Sequence, residues 1–114
     1  MAEGAASFVE QVFTPVARQV LAMYPDDDQG RMLQSTGLKT GGKYYGFATA
    51  AGELVVKLPS SRVDDLIGSG RGLPFSSRPG RPMKEWVCLP APDQASCRSF
   101  LLEARSFVAA QARR

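Results

Sequence analysis

Apolar residues recur every four positions near the start of the chain, at Phe8, Val12, Val16 and Val20, with Val9, Phe13, Ala17 and Leu21 beside them. That spacing lays a broad apolar stripe on a helix and predicts one from about Ala5 to Tyr24. Pro15 falls inside it, so either the helix kinks there or Thr14 caps a second helix with Pro15 at its first position. Pro25, the triplet Asp26-Asp27-Asp28 and Gly30 then end the helical pattern. A short strand is expected from about Arg31 to Ser35. A turn over Gly37 to Lys43 follows, centred on Gly41-Gly42, a dipeptide that takes positive φ readily. Tyr44 to Ala50 and Glu53 to Leu58 read as two further strands across a tight turn at Ala51-Gly52. In the second of these, Leu54, Val56 and Leu58 alternate with Glu53, Val55 and Lys57, the period-two pattern of a sheet with one covered face.

Pro59-Ser60-Ser61 opens a short helix, with Ser61 and Asp64 at capping-box spacing and Val63, Leu66 and Ile67 as its buried stripe. Gly68 and Gly70 stop it. Gly70 to Pro82, rich in Gly, Pro, Ser and Arg, reads as a surface loop anchored by Phe75. Met83 to Leu89 is the last strand. After a turn over Pro90 to Asp93, a final helix runs to about Ala110. Cys97, Phe100, Leu101, Ala104, Phe107 and Val108 line one side of it, and Arg98, Glu103 and Arg105 are assigned to the outer side. The expected architecture is one α+β domain over residues 1–114. It has two layers: an antiparallel sheet of about four to five strands covered on one face by the N- and C-terminal helices, with a short helix between strands.

Composition narrows the chemistry. With 44% hydrophobic and 22% charged residues the chain is ordinary globular material, long enough at 114 residues for a core of its own. No apolar run approaches the ~18–20 residues of a membrane span, and Met1-Ala2-Glu3-Gly4 lacks the features of a secretory leader, so a cytoplasmic location is expected. Cys88 and Cys97 are the only cysteines and read as small buried hydrophobes. There is no histidine, which removes Ser-His and Cys-His nucleophiles, His metal ligands and a histidine pH switch. Neither a metal nor another cofactor is expected. Asp64 and Asp65 are adjacent on a helix and diverge by about 100°, so they form no acid–base pair.

Four patterns come close to known motifs and fail on their mechanics. Gly37 to Lys43 matches a phosphate-binding P-loop, but Tyr44 replaces the hydroxyl that would hold Mg²⁺, and a strand pattern follows where a helix is required. Lys43-Tyr44-Tyr45-Gly46-Phe47 half matches the RNA-stacking strand of an RRM, yet a long helix precedes it where the first RNA-binding strand belongs. Tyr45 and Phe47 are instead expected in the core, with Tyr44 over the open face. Asp26-Asp27-Asp28-Gln29-Gly30 starts like a calcium loop but lacks the later ligands, and reads as a solvated turn. Gly68-Ser69-Gly70-Arg71-Gly72 is broken as a dinucleotide fingerprint by Leu73.

The succession Gly37-Leu38-Lys39, Gly42-Lys43, Leu54-Val55-Val56-Lys57-Leu58, Arg62-Val63 and Met83-Lys84-Glu85-Trp86-Val87 resembles the small domains of the TfoX N-terminal and YjbR-like families. The resemblance spans about half the chain and implies a compact two-layer α+β domain of the bacterial cytoplasm. It implies a regulatory or DNA-associated role without a catalytic site.

Charge distribution suggests where such a role would sit. The net charge is only +3, and Arg113 and Arg114 carry two of those units. Between Leu66 and Lys84, however, there is no acid, while Arg71, Arg78, Arg81 and Lys84 all fall there. Together with Lys57 and Trp86 these form the candidate surface for nucleic acid or a protein partner. If Lys84 and Trp86 face outward, a cation sits beside an aromatic as a phosphate or stacking surface requires. The other arrangement packs Trp86 into the core or under the loop, the usual fate of a lone tryptophan. A competing function is a protein-interaction module or homodimer that covers an apolar patch of Tyr44, Val55 and Trp86 on the open sheet face.

Overall fold

The stripe of the first segment folds as a π-helical turn, Val9–Phe13, running into α1, Thr14–Met23. Pro15, in the first turn of α1, has no N–H to offer the Gln11 carbonyl four residues back. The side-chain amide of Gln94 donates to that oxygen at 2.6 Å. The Thr14 N–H reaches five residues back to Val9 O, and Thr14 is itself helical, so it caps nothing. The Thr14 cap expected before Pro15 does not form; the α-helix starts at Thr14 itself, after a local π register. The computed structural model describes residues 8–32, 35–49, 51–75, 84–90 and 92–112, with the backbone alone for Arg31, Met32, Ser35 and Ala112. The expected helix start at Ala5, the loop cations Arg78 and Arg81 and the strand start at Met83 lie outside the described residues.

Among the described residues, six antiparallel strands form one sheet: β1 Asp28–Met32, β2 Ser35–Thr40, β3 Lys43–Ala48, β4 Glu53–Lys57, β5 Leu73–Pro74 and β6 Trp86–Pro90. Their spatial order is β1-β2-β3-β4-β6-β5. Helix α2, Ser60–Gly68, lies between β4 and β5 in the chain, and α3, Gln94–Ala112, follows β6. The α+β architecture matches expectation, with more strands than the four to five anticipated. One extra strand comes from Gly37 to Thr40, read as a turn but folded as part of β2, with Leu38 fully buried. Its glycine serves a different purpose. Gly30 and Gly37 are cross-strand partners, and the ring of Tyr44 lies over both. A Cβ on Gly30 would collide with the Tyr44 hydroxyl, and one on Gly37 would stand 2.9 Å from the ring. At Gly41 and Gly42 the φ values of 58° and 80° make the expected two-residue hairpin between the paired Thr40 and Lys43.

A β-bulge sorts the aromatics of β3. Leu38 pairs with Gly46 and Lys39 with Tyr44, leaving Tyr45 as the extra residue. Tyr45 therefore joins the core under the helices, while Phe47 points to the other side. Both are buried as expected, but on opposite faces. The larger core packs Phe13, Val16 and Val20 against Leu54, Val56, Val87 and Leu89 of the sheet and Leu101, Ala104 and Val108 of α3. On the face without α1 and α3, Phe47, Val55, Trp86 and Cys88 form a second, smaller core, with Tyr44 and Phe75 packed against it.

The helix starts differ in how they are satisfied. Asp93 accepts the Ser96 N–H at 2.8 Å ahead of α3. The capping box expected at Ser61 and Asp64 does not form: the N-cap of α2 is Pro59, two residues before Ser61, and no side chain caps the helix.

Candidate functional site

Strand β4 ends at Lys57, and three residues later Ser60 begins α2. The β4–β6 register sets Lys57 opposite Trp86. One step on, the Leu58 N–H donates to the Glu85 carbonyl at 2.9 Å. A strand end, a strand start and a helix start thus converge. Lys57, Ser60, Lys84, Glu85 and Trp86 line a groove of about 470 Å³ there. The Lys57 ammonium stands 3.9 Å from the Glu85 carboxylate and 6.0 Å from the Trp86 ring. With the two side chains 25% and 41% exposed, this pair contributes ~0–1 kcal/mol. Lys84 is exposed and has no ion-pair partner among the described residues.

Trp86 is only 7% exposed and faces away from α1 and α3. Its ring tilts on Phe47 at 5.8 Å between centroids, and Phe75 meets Phe47 edge-on at 5.6 Å. The indole is therefore the floor of the groove, not a platform for stacking. Of the six residues proposed from sequence, Lys57, Lys84 and Trp86 meet here. Arg71 does not: its guanidinium lies 5.9 Å from the ring of Phe100 on α3, which Arg62 also flanks at 6.0 Å. Arg78 and Arg81 fall outside the described residues. The apolar patch expected for a partner is internal, since Val55 and Trp86 are buried and Tyr44 is half-buried. Among the described residues, the exposed large hydrophobics are Met23 and Leu73.

A second constellation corrects two sequence readings. Asp27 is not in a solvated turn and Arg105 does not face outward. The Arg105 guanidinium grips the Asp27 carboxylate with two bonds, Nε at 2.7 Å and Nη2 at 3.1 Å. The Tyr45 hydroxyl donates to the same carboxylate at 3.0 Å, and Arg105 reaches the Thr40 hydroxyl at 3.5 Å. Its guanidinium stacks on Tyr24, 3.5 Å from the ring centroid. Burial pushes the Asp27 pKa up, but hydrogen bonds from Arg105, Thr40 and Tyr45 and the Arg105 charge outweigh it and hold the carboxyl below its ordinary range. Burial, then the Asp27 charge, raises the Tyr45 phenol, and the bond to Asp27 raises Arg105. The cluster's bonds run from α3 to the residues just before and within the sheet, so it ties α3 to the start of the sheet. Helical spacing carried the signal: Arg105 stands four residues after Leu101 and eight after Cys97, on the buried stripe.

The thiols are inert by the same physics. Burial pushes both Cys88 and Cys97 up to about 12, helped at Cys88 by the Glu53 carboxylate. No group of three or more His, Cys, Asp or Glu side chains able to hold a metal stands together among the described residues. No helix among them is long and apolar enough to cross a membrane. No family model, curated protein or solved structure matches this chain.

Proposed function

We propose that this chain is a non-enzymatic, nucleic-acid-associated module of the bacterial cytoplasm, as its resemblance to TfoX N-terminal and YjbR-like domains implies. The supporting observation is the groove lined by Lys57, Lys84 and Ser60 at one rim of the sheet. Two cations and a donor suit phosphate oxygens. Trp86, at 7% exposure, offers no face for a base to stack on. The contact is therefore to the backbone of DNA and independent of sequence at this point. The homodimer reading is the weaker one, because the sheet face it needs is filled by Phe47, Val55, Trp86 and Cys88.

The test is fluorescence anisotropy of a labelled DNA duplex at low and physiological salt, with mass by size exclusion alongside. Binding is expected to fall with log salt at about −0.9 per phosphate neutralised. Replacing Lys57 and Lys84 together by Gln removes two such contacts, so the slope flattens by roughly 2. An unchanged slope in that variant, or no binding with a dimer mass, refutes the reading.

A further inference from the structure

Among the described residues the groove has one carboxylate, and its place is set by the backbone. The Leu58 N–H holds the Glu85 carbonyl at 2.9 Å, beside the end of β4 where Lys57 stands. The Glu85 carboxylate consequently lies 3.9 Å from the Lys57 ammonium, on the cation that an incoming phosphate must reach. Lys84, the other cation of the groove, has no such partner among the described residues. The groove is thus asymmetric: one ammonium is available outright and the other is shared with an internal anion.

Resting on the nucleic-acid reading above, we infer that Glu85 is a built-in competitor for phosphate at Lys57, a specificity-determining residue of the groove. The ligand has to displace this carboxylate, or lie beside it, before Lys57 counts towards binding. A polyanion that keeps presenting phosphates along its backbone meets that condition better than a single weak anion. Glu85 also repels any phosphate at the lip, and both effects fade as salt screens them.

The experiment compares wild type, Glu85→Gln, Lys57→Gln and the double variant by anisotropy on the same labelled duplex. Glu85→Gln is expected to bind about two- to fivefold tighter at low salt, the range for a partly exposed charge pair. That gain shrinks at physiological salt. In the Lys57→Gln background, the gain from Glu85→Gln shrinks to the part that direct repulsion contributes, because the cation for which it competed is gone. Both side chains are partly exposed, and thermal melts confirm that the variants fold. Wild-type binding that Glu85→Gln leaves unchanged or weakens overturns the inference and spares the nucleic-acid reading. So does a gain undiminished in the Lys57→Gln background. Absence of binding by wild type and Glu85→Gln alike at low salt overturns both.

Discussion

Replacing Arg105 by methionine keeps an unbranched stem against Tyr24 and removes both bonds to Asp27, at 2.7 and 3.1 Å. The carboxylate, 2% exposed, is left with the hydroxyls of Tyr45 and Thr40. Breaking a buried ion pair from one side costs about 3–5 kcal/mol. Arg105 is 19% exposed, which admits some water and places the cost near the low end, at about 3 kcal/mol. At roughly 2.1 cal/mol/K per residue, a chain of 114 residues has an unfolding entropy of about 0.24 kcal/mol/K, so Tm should fall by ~12 °C.

The pH dependence identifies the cause. In the wild type the folded pKa of Asp27 is depressed. Its contribution is complete above the unfolded value of about 3.9 and is lost as pH falls through the folded value. Without Arg105, its hydrogen bonds and charge no longer hold that pKa down while burial still pushes it up, so the folded variant binds the proton more tightly than the folded wild type. Its deficit is then greatest near pH 7 and shrinks as pH is lowered towards about 4. Thermal melts followed by circular dichroism from pH 7 to 4 measure both quantities. Asp27→Asn added to Arg105→Met should recover part of the loss, because no buried charge remains. A Tm within about 3 °C of wild type at pH 7, or a deficit that does not change with pH, refutes the reasoning.

Gly37→Ala places a Cβ 2.9 Å from the Tyr44 ring and should cost about 1–3 kcal/mol in urea denaturation. The cost should shrink in a Tyr44→Ala background, and equal costs in both would remove Tyr44 as the cause. Neither Cys88 nor Cys97, both buried with pKa values raised to about 12, should react with an aromatic disulfide reagent at pH 8 in the folded state. Both should react in denaturant; rapid labelling of native protein would show that one of them is reachable.

Regular periodicity was what made the fold legible. The alternation of Leu54, Val56 and Leu58 and the stripe from Cys97 to Val108 report burial directly, and both elements form where expected. Two residue types misled. Gly37 reads as a turn residue, though its lack of a side chain makes room for a ring from a neighbouring strand, a fact that only cross-strand pairing reveals. Arg105 reads as an outer residue on its charge, although its spacing from Leu101 puts it inside; an arginine with a bidentate partner is buried at tolerable cost. The bulge at Tyr45 reversed the face of Phe47, and a strict period of two cannot anticipate that. In the groove, Lys57, Lys84 and Trp86 were legible as a basic and aromatic set. Ser60 and Glu85 were not, because they join it only through the β4–β6 pairing and the start of α2.

The second core decides where on this domain a ligand can be read. A sheet covered by helices on one side ordinarily offers its other side to a partner, but here that side is committed to Phe47, Val55, Trp86 and Cys88. Truncating Trp86 to alanine would cost about 3–5 kcal/mol, a sizeable fraction of the ~5–15 kcal/mol that holds a domain together. Lost binding in such a variant would report a damaged floor rather than a missing contact. On the proposed function recognition falls to the rim, where strand ends and a helix start bring charged side chains together outside either core. Lys57, Lys84 and Glu85 belong to that rim. Their substitution changes the charge of the groove at little cost to folding, so charge variants at the rim separate recognition from stability in this fold.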